Sequence, residues 1–562
     1  MESPPSIDEW MAKVKSLPKK SAPGPSGLTY DMIQCWTLPV HEAVLSAHIA
    51  LWEKKTVPDE WVRKWLVLIP KGDGGTLDEL RPLMLLEATR KVWSGIFLAR
   101  MQLFLERNRV LHPSQHGASR GVGTDTAAPI FINALETARE WASAIYISSW
   151  DVKRAFDSIS REYQIAALVR VGIPPATAEY LINLDGGGEI AVRSPLNETN
   201  NLTAGGWDNI RDDGYLFSAG RGTGQGDPLS PLIFACCLDP LVCALADVHG
   251  GGFHVQDLEQ RSSAVPDVAY VDDAISITGS FETLQVKADI MSAFAMVINI
   301  ELSLKKLRTF AVYWGNPSRP AHEHLVVHVR ANGVGWSPIP VKLLGIGEFT
   351  HLGVAYDMNL SNPALFRRAV DTIEELGTRV AISHLSPDSK RIVFETCIYM
   401  KVAYYAKFSA WTLDDYRILD AKVSKFYRLI SKNRATFSTA LLYIPRCHGG
   451  LGLKKLSNLI QMSKITLMSR LITVGGAAGV AMEAMVMRGF RSAGQFLCPG
   501  SAGTMAGSLN HVSWISSLVE WLREIKLGVH RPGCPAPVGN PSMLELLGPG
   551  DLSRRSIASL RG

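Results

Sequence analysis

The chain has no run of about 18 apolar residues free of charge, so no membrane-crossing helix is expected. The nearest approach, Leu232 to Val248, is interrupted by Asp239, Pro240 and Asp247. The start, Met1-Glu2-Ser3-Pro4-Pro5, lacks the basic and apolar regions of a secretory leader. The eight cysteines contain no Cys-x-x-Cys and no histidine at zinc-site spacing. They read as thiols of a reducing compartment, with Cys447-His448 an accidental neighbour pair. Charge of one sign is also scarce: 58 Lys and Arg face 53 Asp and Glu, and a net +5 barely favours nucleic acid over other partners. Acids thin out late in the chain. After residue 471 there are only Glu483, Glu520, Glu524, Glu545 and Asp551, too thin a supply for a ribonuclease H site, which needs clustered carboxylates.

What is present is ordinary for a folded protein, 46% apolar and 20% charged. At 562 residues the chain exceeds one compact core, and two or three units are expected. Residues 1–140 mix helical pattern with basic and Pro/Gly-rich loops such as Ala22-Pro23-Gly24-Pro25-Ser26-Gly27. Residues 141–357 alternate short strand-like runs with helices, an α+β pattern. Within them Ser158 to Val171 reads as one amphipathic helix, with Asp157 as its cap. Residues 358–470 turn helical and carry Arg367, Arg368, Lys390, Arg391, Lys422 and Lys425 among other cations, either a solvated face or a surface for a polyanion. Residues 471–562 are Gly/Ala/Ser/Pro-rich and read as a weakly specified appendage.

Three Asp-Asp pairs occur, and their surroundings separate them. Asp212-Asp213 lies in a polar loop, and Asp414-Asp415 follows Thr412 as first-turn acids of a helix. Asp272-Asp273 alone sits between two strand-like runs, Val268 to Val271 and Ala274 to Ile277. That pattern predicts strand, tight turn, strand, with both carboxylates at the apex. Two such carboxylates repel each other and call for a hard cation, Mg²⁺. Asp151, at the end of the run Ala144 to Ile147 and beyond, supplies a third acid if the strands share a sheet. Three carboxylates can hold two Mg²⁺ ions, the arrangement of two-metal phosphoryl transfer.

In order along the chain, these elements resemble a reverse transcriptase of the non-LTR retrotransposon (LINE-like) type, kin to group II intron polymerases. Ser21 to Gly27 is similar to that family's opening element, Leu68-Ile69-Pro70-Lys71 and Arg81-Pro82-Leu83 to its finger motifs, and Gln115-His116-Gly117 to the next. Ala118-Ser119-Arg120 departs from the family's Phe-Arg pair. Asp151 to Asp157 resembles motif A, Gly222 to Pro231 motif B and Tyr270 to Asp273 motif C. Lys306 falls at the motif D lysine, His351-Leu352-Gly353-Val354 at the primer grip, and Gly449 to Leu453 at the signature beyond the thumb.

The resemblance implies a right-hand polymerase: fingers in 1–140, a palm with an antiparallel sheet in 141–357 (reverse transcriptase core about 50–357), a helical thumb and connection in 358–470, and the appendage 471–562. It implies an RNA-directed DNA polymerase that extends a primer 3′-OH with dNTPs. Asp151, Asp272, Asp273 and the Val152 carbonyl would hold two Mg²⁺ ions, with Mn²⁺ as an alternative. Lys71, Arg81, Gln225 and Lys306 would meet the nucleotide, and Leu352 and Gly353 would grip the primer. Phe156 stands where RNA polymerases carry an aspartate for the ribose, so its ring is expected to exclude a 2′-OH. RNA template, DNA primer or target and dNTP are the implied partners, with no membrane, and a eukaryotic element implies the nucleus. An inactive RNA-binding scaffold and a maturase-like factor are the competing readings. The roughly 20 residues before Ser21 leave no room for an apurinic-type endonuclease ahead of it.

Overall fold

The computed structural model describes residues 2–70, 80–117, 123–186, 188–193, 216–256, 262–271, 273–314, 324–331, 335–345, 347–357, 362–431, 438–492, 513–524, 528–530 and 543–545. Its strands are β1 (Lys64–Pro70), β2 (Leu80–Leu85), β3 (Ala144–Trp150), β4 (Ile190–Arg193), β5 (Leu216–Phe217), β6 (Phe253–Gln256), β7 (Ser262–Val265), β8 (Val268–Tyr270), β9 (Asp273–Thr278), β10 (Arg308–Tyr313), β11 (His324–Ala331), β12 (Gly335–Lys342), β13 (Glu348–His351), β14 (Val354–Asp357), β15 (Gly528–His530) and β16 (Met543–Glu545).

The central sheet has the order β10-β3-β9-β8, antiparallel throughout. Successive side chains of a strand point to opposite faces, and here both faces are covered. Ile145, Ile147, Ile275, Ile277, Phe310 and Val312 pack on one side with Phe131 and Leu135 of the helix Thr124–Glu140. Tyr146, Trp150 and Ala311 pack on the other with Phe234 of the helix Ser230–Ala246 and Leu284 and Met291 of the helix Phe281–Ile298. A polar atom inside such a layer needs a partner: the Trp150 Nε1 donates to Ser276 Oγ at 3.1 Å. The hairpin β11–β12 lies against the helix Phe281–Ile298 through Leu325, Val327 and Val329.

A second sheet, β2-β1-β4-β5, pairs β1 antiparallel to β2 and parallel to β4. The parallel strand arrives from beyond the helix Pro175–Asn183, so residues well inside 141–357 complete a sheet begun before residue 70. Helices Pro363–Ile382, Leu413–Ile430 and Leu456–Val474 share a core with Phe394, Tyr399 and Tyr427. Thr412 caps the second of these and Asp415 returns the bond to the cap backbone, so Asp414 and Asp415 are first-turn acids.

Two expectations need correction. The segment 158–171 is two helices, Ala155–Ser158 and Arg161–Arg170, parted at Ile159-Ser160. Ser160, not Asp157, caps the longer one, accepting from the Tyr163 N–H. Asp157 lies inside the short helix, whose N-cap Arg154 has φ +51° and no side-chain cap bond. Nor is the described part of the tail a loose appendage: Met482, Met485, Trp514 and Leu518 join the helical core. Alanine and glycine in the helix Gly476–Ser492 permit close packing of its backbone rather than loosening it.

Candidate active site

Tyr270 pairs with Asp273 across β8–β9, a register that leaves two residues for the turn, of which Val271 is described. Val271 has φ +56°, a left-handed conformation that a β-branched residue rarely adopts. Two-residue hairpin turns of the primed types require positive φ, which is why the turn imposes it. Asp272 itself lies outside the described residues, while Asp273 opens β9 and is half-buried.

The register places Asp151. Trp150 pairs with Ala274 across β3–β9, so Asp151 continues opposite Asp273 at the same end of the sheet. Asp151 is 9% exposed, and its Oδ1 accepts from Lys306 Nζ at 2.8 Å. The Lys306 side chain is 69% exposed, so a solvent-facing ammonium reaches inward onto a buried carboxylate. The Ser303 N–H donates to the Asp151 carbonyl, and the Lys153 N–H to the Glu301 carbonyl. Those bonds make Val152 and Leu302 a non-hydrogen-bonded pair, in which the Val152 carbonyl points away from Leu302.

Phe156 is half-buried, its ring 5.1 Å from that of Phe234. The loop after β5 is laced to the same short helix. The Thr223 N–H donates to the Phe156 carbonyl at 2.7 Å and the Gly222 N–H to the Ile159 carbonyl at 2.8 Å. Gly222 has φ +84°, and a Cβ there would lie 2.6 Å from Asp157 Cα, so glycine is required. Three residues after Gly222, the Gln225 carbonyl accepts from the Met84 N–H of β2 at 2.6 Å. Arg81 is exposed on β2 opposite Ile69 of β1. Lys71 and Ala118-Ser119-Arg120 lie outside the described residues, as does Asp212-Asp213.

Beneath that loop lies a buried ionic network. Arg90 is fully buried and donates to Asp227 Oδ2 at 2.7 Å, Asp185 Oδ1 at 3.1 Å and the Trp61 carbonyl at 2.7 Å. Asp185 also accepts from Lys64 Nζ and the Gly224 N–H. Burial pushes the Asp185 carboxyl up, but Lys64 and Arg90 outweigh it and hold the group well below the ordinary carboxylate range. Arg90, Asp185 and Lys64 escaped the sequence reading because no local pattern marks partners separated by 95 to 137 residues, the sequence separations of the Arg90 bonds.

Leu352 and Gly353, at φ +52° and +77°, form the tight turn of β13–β14. The Tyr404 hydroxyl donates to the Leu352 carbonyl at 2.9 Å, fixing that tip to the helix Tyr399–Ala406. Tyr404 was also missed; an aromatic in a helix carries no signal of its own.

Among the described residues no group of three His, Cys, Asp or Glu side chains is placed to hold a metal ion. Two acids of the expected three are placed, and their chemistry fits a hard divalent cation: two carboxylates and a carbonyl, with an ammonium already balancing one of the acids. Among the described residues no helix is long and apolar enough to cross a membrane.

Comparison with known proteins identifies relatives of this part of the chain. Residues 69–348 match the family "Reverse transcriptase (RNA-dependent DNA polymerase)". The chain is 28% identical over 299 residues to the Pol polyprotein of the type-1 retrotransposable element R2 of Popillia japonica, covering 52% of this chain and 38% of that one. It is 22% identical over 470 residues to the Pol polyprotein of element R2DM of Drosophila melanogaster, covering 83% of this chain and 41% of that one. It is 25% identical over 310 residues to an uncharacterized 149 kDa protein of transposon TX1 of Xenopus laevis, covering 54% and 22%. The chain thus spans well under half the length of these relatives. Through residues 69–348 it belongs to the reverse transcriptases, and among them to the LINE-like type of the non-LTR retrotransposons.

Proposed function

We propose that this chain is the polymerase module of a retroelement protein, extending a primer 3′-OH with dNTPs on an RNA template. The observation that carries the reading is the shared register end of Asp151 and Asp273, with Lys306 Nζ on Asp151. In this reading β10-β3-β9-β8 is the palm sheet, β2-β1-β4-β5 belongs to the fingers, and the helices after Asn362 form a thumb that tracks the duplex backbone. Asp151, Asp272, Asp273 and the Val152 carbonyl would hold two Mg²⁺ ions, or Mn²⁺, which would supply activation of the attacking oxygen and neutralisation of the leaving one.

The chain's own groups do the rest. Arg81, and Lys71 beyond the end of β1, neutralise the triphosphate. Lys306 is within one hydrogen bond of the acid end of the sheet and can release Asp151 to hold, and protonate, the departing pyrophosphate. Gln225 presents its side chain from a loop whose backbone is fixed to β2, and the ring of Phe156 lies under the sugar and excludes a 2′-OH. Leu352 and Gly353 bear on the primer.

The test is primer extension by the full chain on matched RNA and DNA templates, with dNTPs or NTPs and Mg²⁺. Extension with dNTPs on RNA is expected, and Asp151→Asn should abolish it. Wild-type rates in Asp151→Asn would remove the acid assignment. No extension by the unaltered chain would leave an RNA-binding scaffold.

A further inference from the structure

Gln115-His116-Gly117 was recognised only as a motif, yet the segment runs beside the strained turn. The His116 N–H donates to the Ala269 carbonyl at 2.7 Å and the Ala269 N–H to the Ser114 carbonyl at 2.9 Å, which adds the segment to β8 as a short parallel edge. Gln115 is 1% exposed. Its Oε1 accepts from the Val271 N–H at 2.9 Å and from the Gly117 N–H at 3.2 Å. Gly117 permits the approach, since a Cβ there would lie 2.5 Å from Val271 Cγ2 and 2.7 Å from Val271 N. On the far side His116 Nδ1 meets Thr126 Oγ1 at 2.7 Å, tying the segment to the helix Thr124–Glu140.

A β-branched residue at φ +56° is strained and persists only where its surroundings over-determine it. We propose that Gln115 is a positioning residue for the polymerase reaction: its side-chain oxygen holds the Val271 amide, and so sets how Asp272 and Asp273 are presented to the cation. The inference rests on the polymerase reading above. It separates the two ends of the Gln115 amide, because the oxygen carries the bond to the turn and the bond to Gly117, while Nε2 bonds to none of the described residues. The oxygen must therefore be kept while the nitrogen is dispensable.

The experiment is single-nucleotide extension on an RNA template with Mg²⁺ varied, using the full chain. A displacement of about 1 Å at a reacting centre costs up to about a hundredfold. Gln115→Leu should lower kcat about tenfold with the KM for dNTP within about twofold, and should raise severalfold both the Mg²⁺ needed for half-maximal rate and, with no nucleotide present, the Mg²⁺ at which the cation's shift of the melting temperature is half complete. Gln115→Glu, protonated in so buried a place, keeps the accepting oxygen and should recover most of the kcat. Gly117→Ala, which presses a methyl on the Val271 amide, should reproduce the Leu phenotype and serves if Gln115→Leu does not fold. Wild-type kcat and Mg²⁺ dependence in folded Gln115→Leu or folded Gly117→Ala overturns the inference, and so does equal impairment by Gln115→Leu and Gln115→Glu, which marks packing alone. An inactive unaltered chain overturns the polymerase reading and this inference with it.

Discussion

Replacing Arg90 by methionine removes a charge that has no route to water. The guanidinium is buried between Asp227 and Asp185, with a third bond to the Trp61 carbonyl. The two acids are left in different positions. Asp185 keeps Lys64 and the Gly224 N–H and stays compensated. Asp227 keeps hydrogen bonds from neutral donors alone, at Leu229 N, 2.9 Å away, and at Ser94, while Lys64 and Lys91 act on it only through space. Breaking one partner of a buried pair costs about 3–5 kcal/mol because the remaining charge is uncompensated. Arg90→Met should therefore lose about that much, a large share of a typical stability of about 5–15 kcal/mol. The control is Arg417, whose bonds to Asp414 and Glu524 join exposed side chains, where solvent screening leaves an ion pair little stabilising effect. Urea midpoints of Arg90→Met, Arg417→Met and the unaltered chain decide between them. Arg90→Met combined with Asp227→Asn removes the stranded charge and should regain over half the loss. A loss in Arg90→Met no greater than in Arg417→Met, or a double variant worse than the single, refutes the reasoning.

Lys464 is buried in the helix Leu456–Val474, donating to the carbonyls of Ser409 and Trp514, each at 2.9 Å, and burial pushes its ammonium down to about 7. Between about 7 and the ordinary lysine value the unfolded chain binds more protons than the folded one, so stability rises with pH across that window. Lys464→Met should remove that rise, and parallel melting profiles of the two proteins from pH 6 to 9 would contradict it. Phe156→Val should raise the ratio of NTP to dNTP incorporation at least about tenfold, a change of about 1.4 kcal/mol in discrimination. An unchanged ratio in a folded, active variant removes the ring from selection at the sugar.

Legibility in the sequence follows the range of the interaction. The hairpin of β8 and β9 was readable because its signal is local: two apolar runs flank two acids. Asp151 was readable as the end of a strand, while its position opposite Asp273 needed the sheet order, which no short segment carries. The break at Ile159-Ser160 was obscured by continuous amphipathic spacing on either side, although Ser160 is itself a good cap. The tail was misread because glycine and alanine signal looseness by composition and close packing by context. The Trp514 N–H donates to Glu136 Oε1 at 2.6 Å, across 378 residues of chain.

What distinguishes Asp151 from the other buried acids is the kind of cation that balances it. Asp227 is matched by Arg90, whose side chain is 0% exposed, and Asp267 by Lys287, whose side chain is 2% exposed. Asp239 is fully buried and takes both Nη atoms of Arg170 at 2.8 Å. Each of these bonds fixes two elements together, and a cation so enclosed, or so forked, cannot leave without unmaking the packing. Asp151 alone in this set is matched by one ammonium on a side chain that mostly faces water. Moving Lys306 away costs the lysine itself little, because its side chain is already mostly solvated, and it leaves the buried Asp151 charge for another cation to balance. The same acid can then exchange that ammonium for a stronger cation without any rearrangement of the sheet. A structural acid needs a permanent partner and a working acid a replaceable one, and this difference supports the proposed role of Asp151 at the metal and a scaffold role for Asp227, Asp239 and Asp267.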